Sequence, residues 1–226
     1  MNESGLFQRL GARVTELFPA GVGVGVCGSD IALYDGLFHV EQRAILGAAP
    51  ARQREFLAGR MAARRAQQAL GRAPQPVLMG ADRAPVWPAG LRGSISHAGR
   101  ACVAVVTDDP AIAAMGVDIE DDAPLPKDIH DTVLLPEEQH WIGQQTSPDL
   151  LARLFFSAKE CAYKAQYPLT RQLFGFDVIT IRPDLLARSF EAQFMQAVPP
   201  FASGALLAGR FSIDEGLIIT AVTIPA

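Results

Sequence analysis

Cysteine is scarce in this sequence, and long apolar runs are absent. The 226 residues contain three cysteines, Cys27, Cys102 and Cys161, which are far apart and form no CxxC pair. We therefore expect neither a disulfide framework nor a structural zinc site, and the cysteine content fits a reducing cytoplasm. The N-terminus has no basic segment followed by an apolar run, so no secretory signal is predicted. No apolar stretch approaches the roughly 20 residues that a membrane span requires.

The chain also has little excess charge. Charged residues make up 19% of it and the net charge is −4, which argues against a general nucleic-acid-binding protein. Neither GxGxxG leading into a helix nor GxxxxGK[ST] occurs, so the glycines of residues 21–27 favour a short buried strand over a nucleotide-binding loop. The hydrophobic content of 49% is typical of a soluble folded protein, with one large domain or two small ones.

Two long helices and several short strands are predicted. The helices cover residues 51–70, ending before Gly71, and residues 149–166. Strands are predicted at RGSISH and ACVAVV, which the turn His97–Arg100 joins, at MGVDIE, and at the C-terminal LIITAVTI. The segment 121–136, with three prolines and several acids, is predicted to be a loop.

The two predicted helices resemble each other. When the sequence is shifted by one hundred positions, residues 56–64 lie over residues 156–164, with Phe, two alanines and a terminal cation in common. A chance match between alanine-rich helices is one explanation. The other is a chain of two similar halves, each a long helix packed on a small antiparallel sheet.

Asp118 and Glu120 flank Ile119 in a predicted strand. Side chains alternate along a strand, so the two carboxylates share a face. Acids this close repel each other unless a cation or protons intervene, and oxygen ligands of this kind suit Mg²⁺. The alternative is a pair of acids on a solvated sheet edge.

Glu160 and Lys164 share one face of the second long helix, and Lys159 lies beside them. A surface ion pair is the ordinary interpretation of this spacing. The neighbours on the helix are mostly apolar, namely Phe155, Phe156, Ala158, Ala162 and Tyr163. They favour a helix largely covered by protein, where charged side chains require a reason.

His97 ends the predicted strand that contains Ser94 and Ser96, and the two serines share a face. Gly93 and Gly99 let the backbone turn closely around a ligand. A hydroxyl and an imidazole beside a turn can bind phosphate oxygens, or they can cap the backbone amides of the turn. No GxSxG sequence is present, so a hydrolase triad is not indicated.

Arginines are concentrated on and around the first long helix, at positions 52, 54, 60, 64, 65 and 72. Arg52, Arg60 and Arg64 can lie roughly on one side of it. In an acidic protein this local concentration favours a phosphate-binding site, with a solvated helix face as the alternative.

Taken together, four blocks resemble the 4′-phosphopantetheinyl transferase superfamily, in its larger monomeric branch that activates siderophore, peptide and polyketide synthases. The blocks are WP followed by GSISH (87–97), GVDIE (116–120), FSAKECAYKA (156–165) and, upstream, RxxEFxxGR (52–60). The segment YPLTRQLFGF after the second helix is also similar. The resemblance covers roughly residues 50–180, and it implies an α+β fold with two pseudo-symmetric halves, residues 1–112 and 113–226, and an active site between them.

The resemblance also implies roles for individual residues around a Mg²⁺ or Mn²⁺ ion. Asp118 and Glu120 correspond to metal ligands, and Glu160 to a third acid near the metal. Lys164 corresponds to the lysine that holds the pyrophosphate of coenzyme A, with Lys159 beside it.

Further residues are implied at the other end of coenzyme A. His97, with Ser96, corresponds to the group at the 3′-phosphate. Arg52 and Arg60 are similar to arginines that hold the adenosine phosphates. Arg83 stands close to the family's basic residue before the Trp-Pro block, in a register that varies.

The implied reaction transfers the phosphopantetheine arm of coenzyme A to a serine of an apo acyl, peptidyl or aryl carrier protein and releases adenosine 3′,5′-bisphosphate. Catalytic roles fall on Asp118, Lys164 and Glu160. Of these, Glu160 could accept the serine proton. We expect a monomeric cytoplasmic enzyme with no nucleic-acid partner and no membrane span. The alternatives are a non-catalytic module that binds coenzyme A or a carrier protein, and a Mg²⁺-dependent phosphohydrolase.

Overall fold

The computed structural model describes residues 3–28, 37–99 and 101–226 of the chain. Its helices are α1 (Glu3–Leu17), α2 (His39–Gln42), α3 (Pro50–Ala69), α4 (His130–Val133), α5 (Pro136–Gly143) and α6 (Pro148–Thr170). Its strands are β1 (Val22–Gly28), β2 (Leu78–Met79), β3 (Pro85–Val86), β4 (Arg92–Ala98), β5 (Ala101–Thr107), β6 (Ile112–Asp121), β7 (Ile179–Asp184), β8 (Ser189–Phe194), β9 (Leu206–Asp214) and β10 (Leu217–Pro225). Short 3₁₀ turns cover Arg43–Ile45, Lys127–Ile129 and Phe176–Val178.

Two antiparallel sheets repeat one arrangement of strands. The strand order is β1-β5-β4 in the first sheet and β6-β10-β9-β8-β7 in the second. Each arrangement starts with a strand, continues through a long helix and ends in a hairpin whose last strand pairs with the first strand. Thus β1, α3 and β4–β5 correspond to β6, α6 and β9–β10. The predicted α+β fold with two similar halves is confirmed, and β7 and β8 extend the second half.

Both long helices start at a proline, which suits a first turn because the missing N–H needs no partner there. After α3, Gly71 adopts a φ of 77°, as its predicted place beyond the helix end requires. α6 runs past its predicted end at residue 166 and includes Pro168 in its last turn. A proline so close to the end removes one backbone hydrogen bond without breaking the helix. No helix in the described ranges has the length and apolar character of a membrane span.

Some elements have no counterpart among the predicted ones, notably α1, α4 and α5. α1 places Leu10 and Val14 in a core between the sheets. α4 and the 3₁₀ turn before it lie in the segment 121–136 that is predicted as a loop, so this prediction is only partly right. The hairpin predicted at residues 97–100 joins β4 to β5, although Arg100 lies outside the described residues.

Gly25 and Gly116 let each long helix lie directly on its first strand. A Cβ on Gly25 would lie 2.1 Å from the carbonyl oxygen of Ala62, and a Cβ on Gly116 would lie 2.0 Å from that of Cys161. Contacts this short are impossible, so these backbone approaches require glycine. The equivalent contacts match Ala62 with Cys161, an offset of 99 residues. The predicted offset of one hundred is therefore wrong by one position, because alanine-rich helices resemble each other in several registers.

Serine hydroxyls join the two sheets where β4 meets β6. Ser94 accepts a hydrogen bond from the backbone N–H of Val117 at 3.1 Å, and Ser96 accepts one from Ile119 at 3.3 Å. Behind this seam, α1 and both sheets share one apolar core, which includes Leu10, Val14, Val103, Val105, Val117, Ile119 and Ile219. The division of the chain at residue 112 falls where β6 begins, and it remains a proposal because α1 packs against strands of both sheets.

Candidate active site

Asp118 lies at the seam, and both halves contact its carboxylate. The residue is 2% exposed. Its Oδ1 accepts hydrogen bonds from the Ser96 hydroxyl at 2.7 Å and from the Lys164 ammonium at 2.5 Å. Its Oδ2 accepts one from the Ser157 hydroxyl at 2.8 Å. Groups from β4 and α6 therefore hold this buried carboxylate in one orientation.

Ser157 and Thr220 support Asp118, and neither was assigned a role from the sequence. Ser157 is fully buried, and its hydroxyl lies 2.9 Å from that of Thr220 on β10. Thr220 in turn donates to the backbone carbonyl of Ser157 at 3.1 Å. The available signal was helical spacing, because positions 157, 160 and 164 follow i, i+3 and i+7 on one face of α6.

Glu120 is half-buried and pairs with Arg153, which the sequence analysis also missed. The Arg153 guanidinium donates to Oε2 of Glu120 at 3.0 Å and to the carbonyls of Ala123 and Pro124. Burial and then the charge of Asp118 raise the pKa of Glu120 to about 7, against the opposing effects of Arg153 and Lys164. The ion pair joins residues 33 positions apart, a separation at which no local spacing rule predicts contact.

Glu160 and Lys164 belong to the same electrostatic cluster. Burial raises the pKa of Glu160, Lys164 opposes this, and Asp118 adds to it. Burial by itself would lower the pKa of Lys164, but Asp118 and then Glu160 outweigh burial and raise it. The Lys164 ammonium also donates to the Ser96 hydroxyl at 3.1 Å. The structure thus brings Asp118, Glu120, Glu160 and Lys164 into one region.

The three acids predicted to bind metal do not form a closed metal site. Across residues 3–28, 37–99 and 101–226, no group of three or more acid, histidine or cysteine side chains is arranged to hold a metal ion. Lys164 and two hydroxyls contact Asp118, whereas Arg153 contacts Glu120. The side chains of Asp118 and Glu120 nevertheless suit a hard cation, because both are carboxylates. Burial and then the charge of Asp118 raise the pKa of Glu120.

The structure does not bring Lys159 to this cluster. Its side chain is 2% exposed and pairs with Glu138 at 2.7 Å. Its ammonium also donates to the carbonyls of Val133 at 2.8 Å and Phe176 at 3.0 Å. Burial lowers the pKa of Lys159, and Glu138 opposes that effect. These contacts hold α5, α6 and the loop before β7 together, so they do not support the predicted role of Lys159 at coenzyme A.

Ser96 and His97 lie on opposite faces of β4, so the predicted pairing of the two at one phosphate does not match their contacts. Ser96 faces Asp118, whereas Nε2 of His97 lies 3.8 Å from Oε2 of Glu55 on α3. Arg52 donates to the same oxygen at 3.3 Å. The Arg52 and His97 side chains are half-exposed and can present positive charge to an anion.

Arg60 differs from Arg52 in being buried. It is 7% exposed, and its guanidinium donates to the carbonyls of Val77 at 2.7 Å and Leu78 at 3.1 Å. Burial lowers the pKa of Arg60 to about 10, Glu41 opposes this and Arg52 adds to it. These bonds anchor the segment after α3, so of the two predicted phosphate-binding arginines Arg52 is the one that faces solvent.

A cleft of about 460 Å³ separates the loop around Arg83 from the C-terminal part of α6. Arg83 and Lys164 both line it, together with Tyr163 and Tyr167. The Tyr167 hydroxyl donates to Asp82 at 2.6 Å and ties the loop to the helix. The basic residue predicted before the Trp-Pro block therefore shares a cleft with the lysine predicted at the pyrophosphate.

Known proteins are similar to this chain over most of its length. Residues 40–107 match the 4′-phosphopantetheinyl transferase N-terminal domain, and residues 114–211 match the 4′-phosphopantetheinyl transferase superfamily. The 4′-phosphopantetheinyl transferase Svp of Streptomyces mobaraensis is 36% identical over 84% of this chain and 79% of its own length. The chain belongs to the 4′-phosphopantetheinyl transferase superfamily.

Other members are related over different lengths. The transferase Npt of Nocardia iowensis is 33% identical over 80% of this chain and 86% of its own length. Enterobactin synthase component D of Escherichia coli strain K12 is 38% identical over 50% of this chain and 54% of its own length. The resemblance predicted from the four blocks is confirmed. Membership in this superfamily makes the protein an enzyme and implies coenzyme A and carrier proteins as its substrates.

Proposed function

We propose that this phosphopantetheinyl transferase moves the phosphopantetheine arm of coenzyme A to a serine of an apo carrier protein, in a Mg²⁺-dependent reaction that releases adenosine 3′,5′-bisphosphate. Its similarity to enterobactin synthase component D supports the carrier of a siderophore synthase, and the proposal extends to carriers of nonribosomal peptide and polyketide synthases. We further propose that it acts as a cytoplasmic monomer.

The position of Asp118 carries this proposal. A buried carboxylate is costly unless it has partners, and this one has partners from both halves of the chain. One of them, Lys164, also lines the cleft between the halves. A diphosphate in that cleft would lie beside the ammonium that now contacts Asp118.

The remaining groups have complementary roles in positioning and proton transfer. The serine oxygen forms a bond to the β-phosphorus of coenzyme A while the bond to the bisphosphate oxygen breaks, which demands alignment and charge neutralisation. Lys164 contacts the diphosphate, and Arg52 and His97 hold the 3′-phosphate at the far end. Glu160 accepts the serine proton or serves as a further metal ligand.

Asp118 and Glu120, with Glu160 beside them, are the residues that would hold Mg²⁺ or Mn²⁺. The fit rests on the donor set, two carboxylates on one face of β6, where burial and then the charge of Asp118 raise the pKa of Glu120 to about 7. A cation would offset both effects. When bound, the ion supplies neutralising charge to the diphosphate and the departing phosphate. The hydroxyls of Ser96 and Ser157 would hold the Asp118 carboxylate in its orientation when the ion is bound.

Incubation of the full chain with coenzyme A, Mg²⁺ and a panel of apo carriers, followed by intact-mass measurement, tests the proposal. One or more carriers should gain a single phosphopantetheine, with an equal amount of adenosine 3′,5′-bisphosphate released. A carrier with its acceptor serine replaced by alanine and a reaction in EDTA should both show no gain. Binding of coenzyme A without transfer to any carrier would identify a binding module, and bisphosphate release without a carrier would identify a phosphohydrolase.

A further inference from the structure

Cys27 and Cys102 face each other on neighbouring strands beneath α3. They are direct partners in the antiparallel β1–β5 ladder. Both thiols are free, and the residues are 2% and 1% exposed. Directly opposed residues point to the same face of a sheet, and both belong to the apolar cluster that Ala58 and Ala62 of α3 cover. Two thiols therefore lie side by side in the half that lacks Asp118.

The ladder places this pair within disulfide range. Opposed residues of an antiparallel ladder have Cα atoms about 4.5 or 5.5 Å apart, depending on the type of pair. Disulfides form at Cα separations of about 4.4 to 6.8 Å. Either type of pair can therefore close with little backbone movement. Cys161 lies in the separate core of the second half, whose described residues include no other cysteine.

We propose that Cys27 and Cys102 are a thiol-modification site that closes reversibly to a cross-strand disulfide in the presence of a small disulfide oxidant such as oxidised glutathione. The Cys27 thiolate attacks one sulfur of the oxidant and releases one molecule of reduced thiol. The Cys102 thiolate then attacks the mixed disulfide at Cys27 and releases the second. The two cysteines lose two electrons and two protons, which the two released thiols carry away.

Access to the pair comes from the end of the ladder. Gly28 and Ala101 form its last pair among the described residues. The cysteines lie one pair inside it, where local opening costs less than at the middle of the ladder. Burial raises the pKa of Cys102 to about 12 and also raises that of Cys27, but Arg65 opposes the effect at Cys27. Cys27 is therefore the first nucleophile.

The same row of side chains continues to the anion-binding residues of the proposed function. His97 is the ladder partner of Cys102 on the other side, and Sγ of Cys102 lies 3.9 Å from the carbonyl oxygen of Glu55. The Glu55 carboxylate contacts both Arg52 and His97. Drawing Cys102 toward β1 removes its contact with Glu55, so the disulfide should weaken adenosine 3′,5′-bisphosphate binding about fivefold or more. This coupling rests on the proposed function, whereas the disulfide itself does not.

Non-reducing peptide mapping tests the disulfide. Reduced full-length protein is incubated with oxidised glutathione, with and without sub-denaturing urea, and free thiols are then blocked with iodoacetamide. The expected result is a peptide that links Cys27 to Cys102, an intact mass lower by two hydrogen atoms before the thiols are blocked, and full reversal by dithiothreitol. The matched control Cys161→Ala should retain the link, and Cys27→Ala and Cys102→Ala should lose it. A stable glutathione adduct without closure, a link through Cys161, or unreacted thiols even in urea would overturn the proposal.

Calorimetric titration with adenosine 3′,5′-bisphosphate tests the coupling separately. The oxidised wild type and oxidised Cys161→Ala should bind it about fivefold or more weakly than their reduced forms. Cys27→Ala should bind equally before and after oxidant treatment. Equal affinity of the reduced and the cross-linked protein would remove the coupling and leave the disulfide in place. Failure of the reduced protein to bind the bisphosphate at all would contradict the proposed function instead.

Discussion

The strand–helix contacts at Gly25 and Gly116 have the same backbone geometry, but the side chains around them differ. Two residues after these glycines come Cys27 and Asp118, each 2% exposed. With the helices aligned at an offset of 99 residues, the first half has Ala58, Met61 and Arg65 where the second has Ser157, Glu160 and Lys164. One backbone arrangement therefore supports an apolar core in one half and a charged cluster in the other. The fold is shared, and a few side chains carry the chemistry.

The halves agree where side chains hold the fold together. Glu41 in α2 and Glu138 in α5 are both buried, and both bind the backbone N–H that precedes their own short helix. Each also accepts a backbone N–H from a more distant segment and pairs with a cation of the long helix, Arg64 or Lys159. Arg64 and Lys159 are not at matching positions of the two helices, but each pairs with the buried acid of the neighbouring short helix, so this comparison makes both structural. Lys164 is different, because Arg65 at its matching position bonds a backbone carbonyl instead of an acid.

The largest expected effect comes from neutralising the acid that the first half lacks. Asp118→Asn should lower kcat/KM for carrier modification by about a thousandfold, the loss expected when several kcal/mol of charge stabilisation disappear. Asparagine is preferred to alanine because it can still accept hydrogen bonds from Ser96 and Lys164. The matched control is Cys27→Ala in reducing buffer, which should stay within about twofold of wild type. Near-normal turnover of Asp118→Asn would show that the charge of Asp118, which the first half lacks, is not required for the reaction.

A large effect on stability is expected for the buried cation of the second half. Lys159→Met leaves the Glu138 carboxylate buried without its ion-pair partner, which should lower the free energy of unfolding by about 3–5 kcal/mol. Urea unfolding measures this loss. Lys159→Met combined with Glu138→Gln should recover part of it, because the neutral amide can still accept the backbone N–H groups of Leu135 and Ile181. Arg64→Met is the corresponding change at Glu41. If Lys159→Met instead raised the KM for coenzyme A at unchanged stability, Lys159 would belong at the substrate.

A smaller and purely kinetic effect is expected at the exposed arginine of the first half. Arg52→Ala should raise the KM for coenzyme A about tenfold and leave kcat nearly unchanged, because a remote phosphate contact contributes equally to substrate and transition-state binding. Stability should not change, since the Arg52–Glu55 pair is exposed. Arg54→Ala, a change at an exposed arginine of the same helix, is the control. A fall in kcat at constant KM would place Arg52 nearer to the reacting atoms.

The smallest expected effect distinguishes two matching buried glutamines. Gln67 exchanges both of its amide groups with the backbone of Gln75, whereas Nε2 of Gln166 has no partner among the described residues. Gln67→Met should cost about 1–3 kcal/mol, because it leaves the two backbone groups of Gln75 unpaired. Gln166→Met should cost less, because it removes only the hydrogen bond that Oε1 of Gln166 accepts from the Thr170 hydroxyl, at 2.5 Å. Thermal unfolding compares the two variants, and equal losses would contradict this difference.

Part of the candidate site could be predicted because its residues are close in sequence. Alternation in a strand put Asp118 and Glu120 on one face, and helical spacing did the same for Glu160 and Lys164. Arg153 and Thr220 could not be found in this way, because their contacts with Glu120 and Ser157 join distant segments. The direction of Lys159 was also missed, since its partner Glu138 lies on another helix.

The sequence by itself determined the family, the two long helices, most strands of the two sheets and the identity of the acids, because these depend on local periodicity and on the order of four blocks. Only the tertiary structure decided which charges face one another. It turned Lys164 toward Asp118 and Lys159 toward Glu138, and it placed Arg153 beside Glu120. The physical reason is that the partners of a buried charge are set by the packing of remote segments, which no spacing along the chain records.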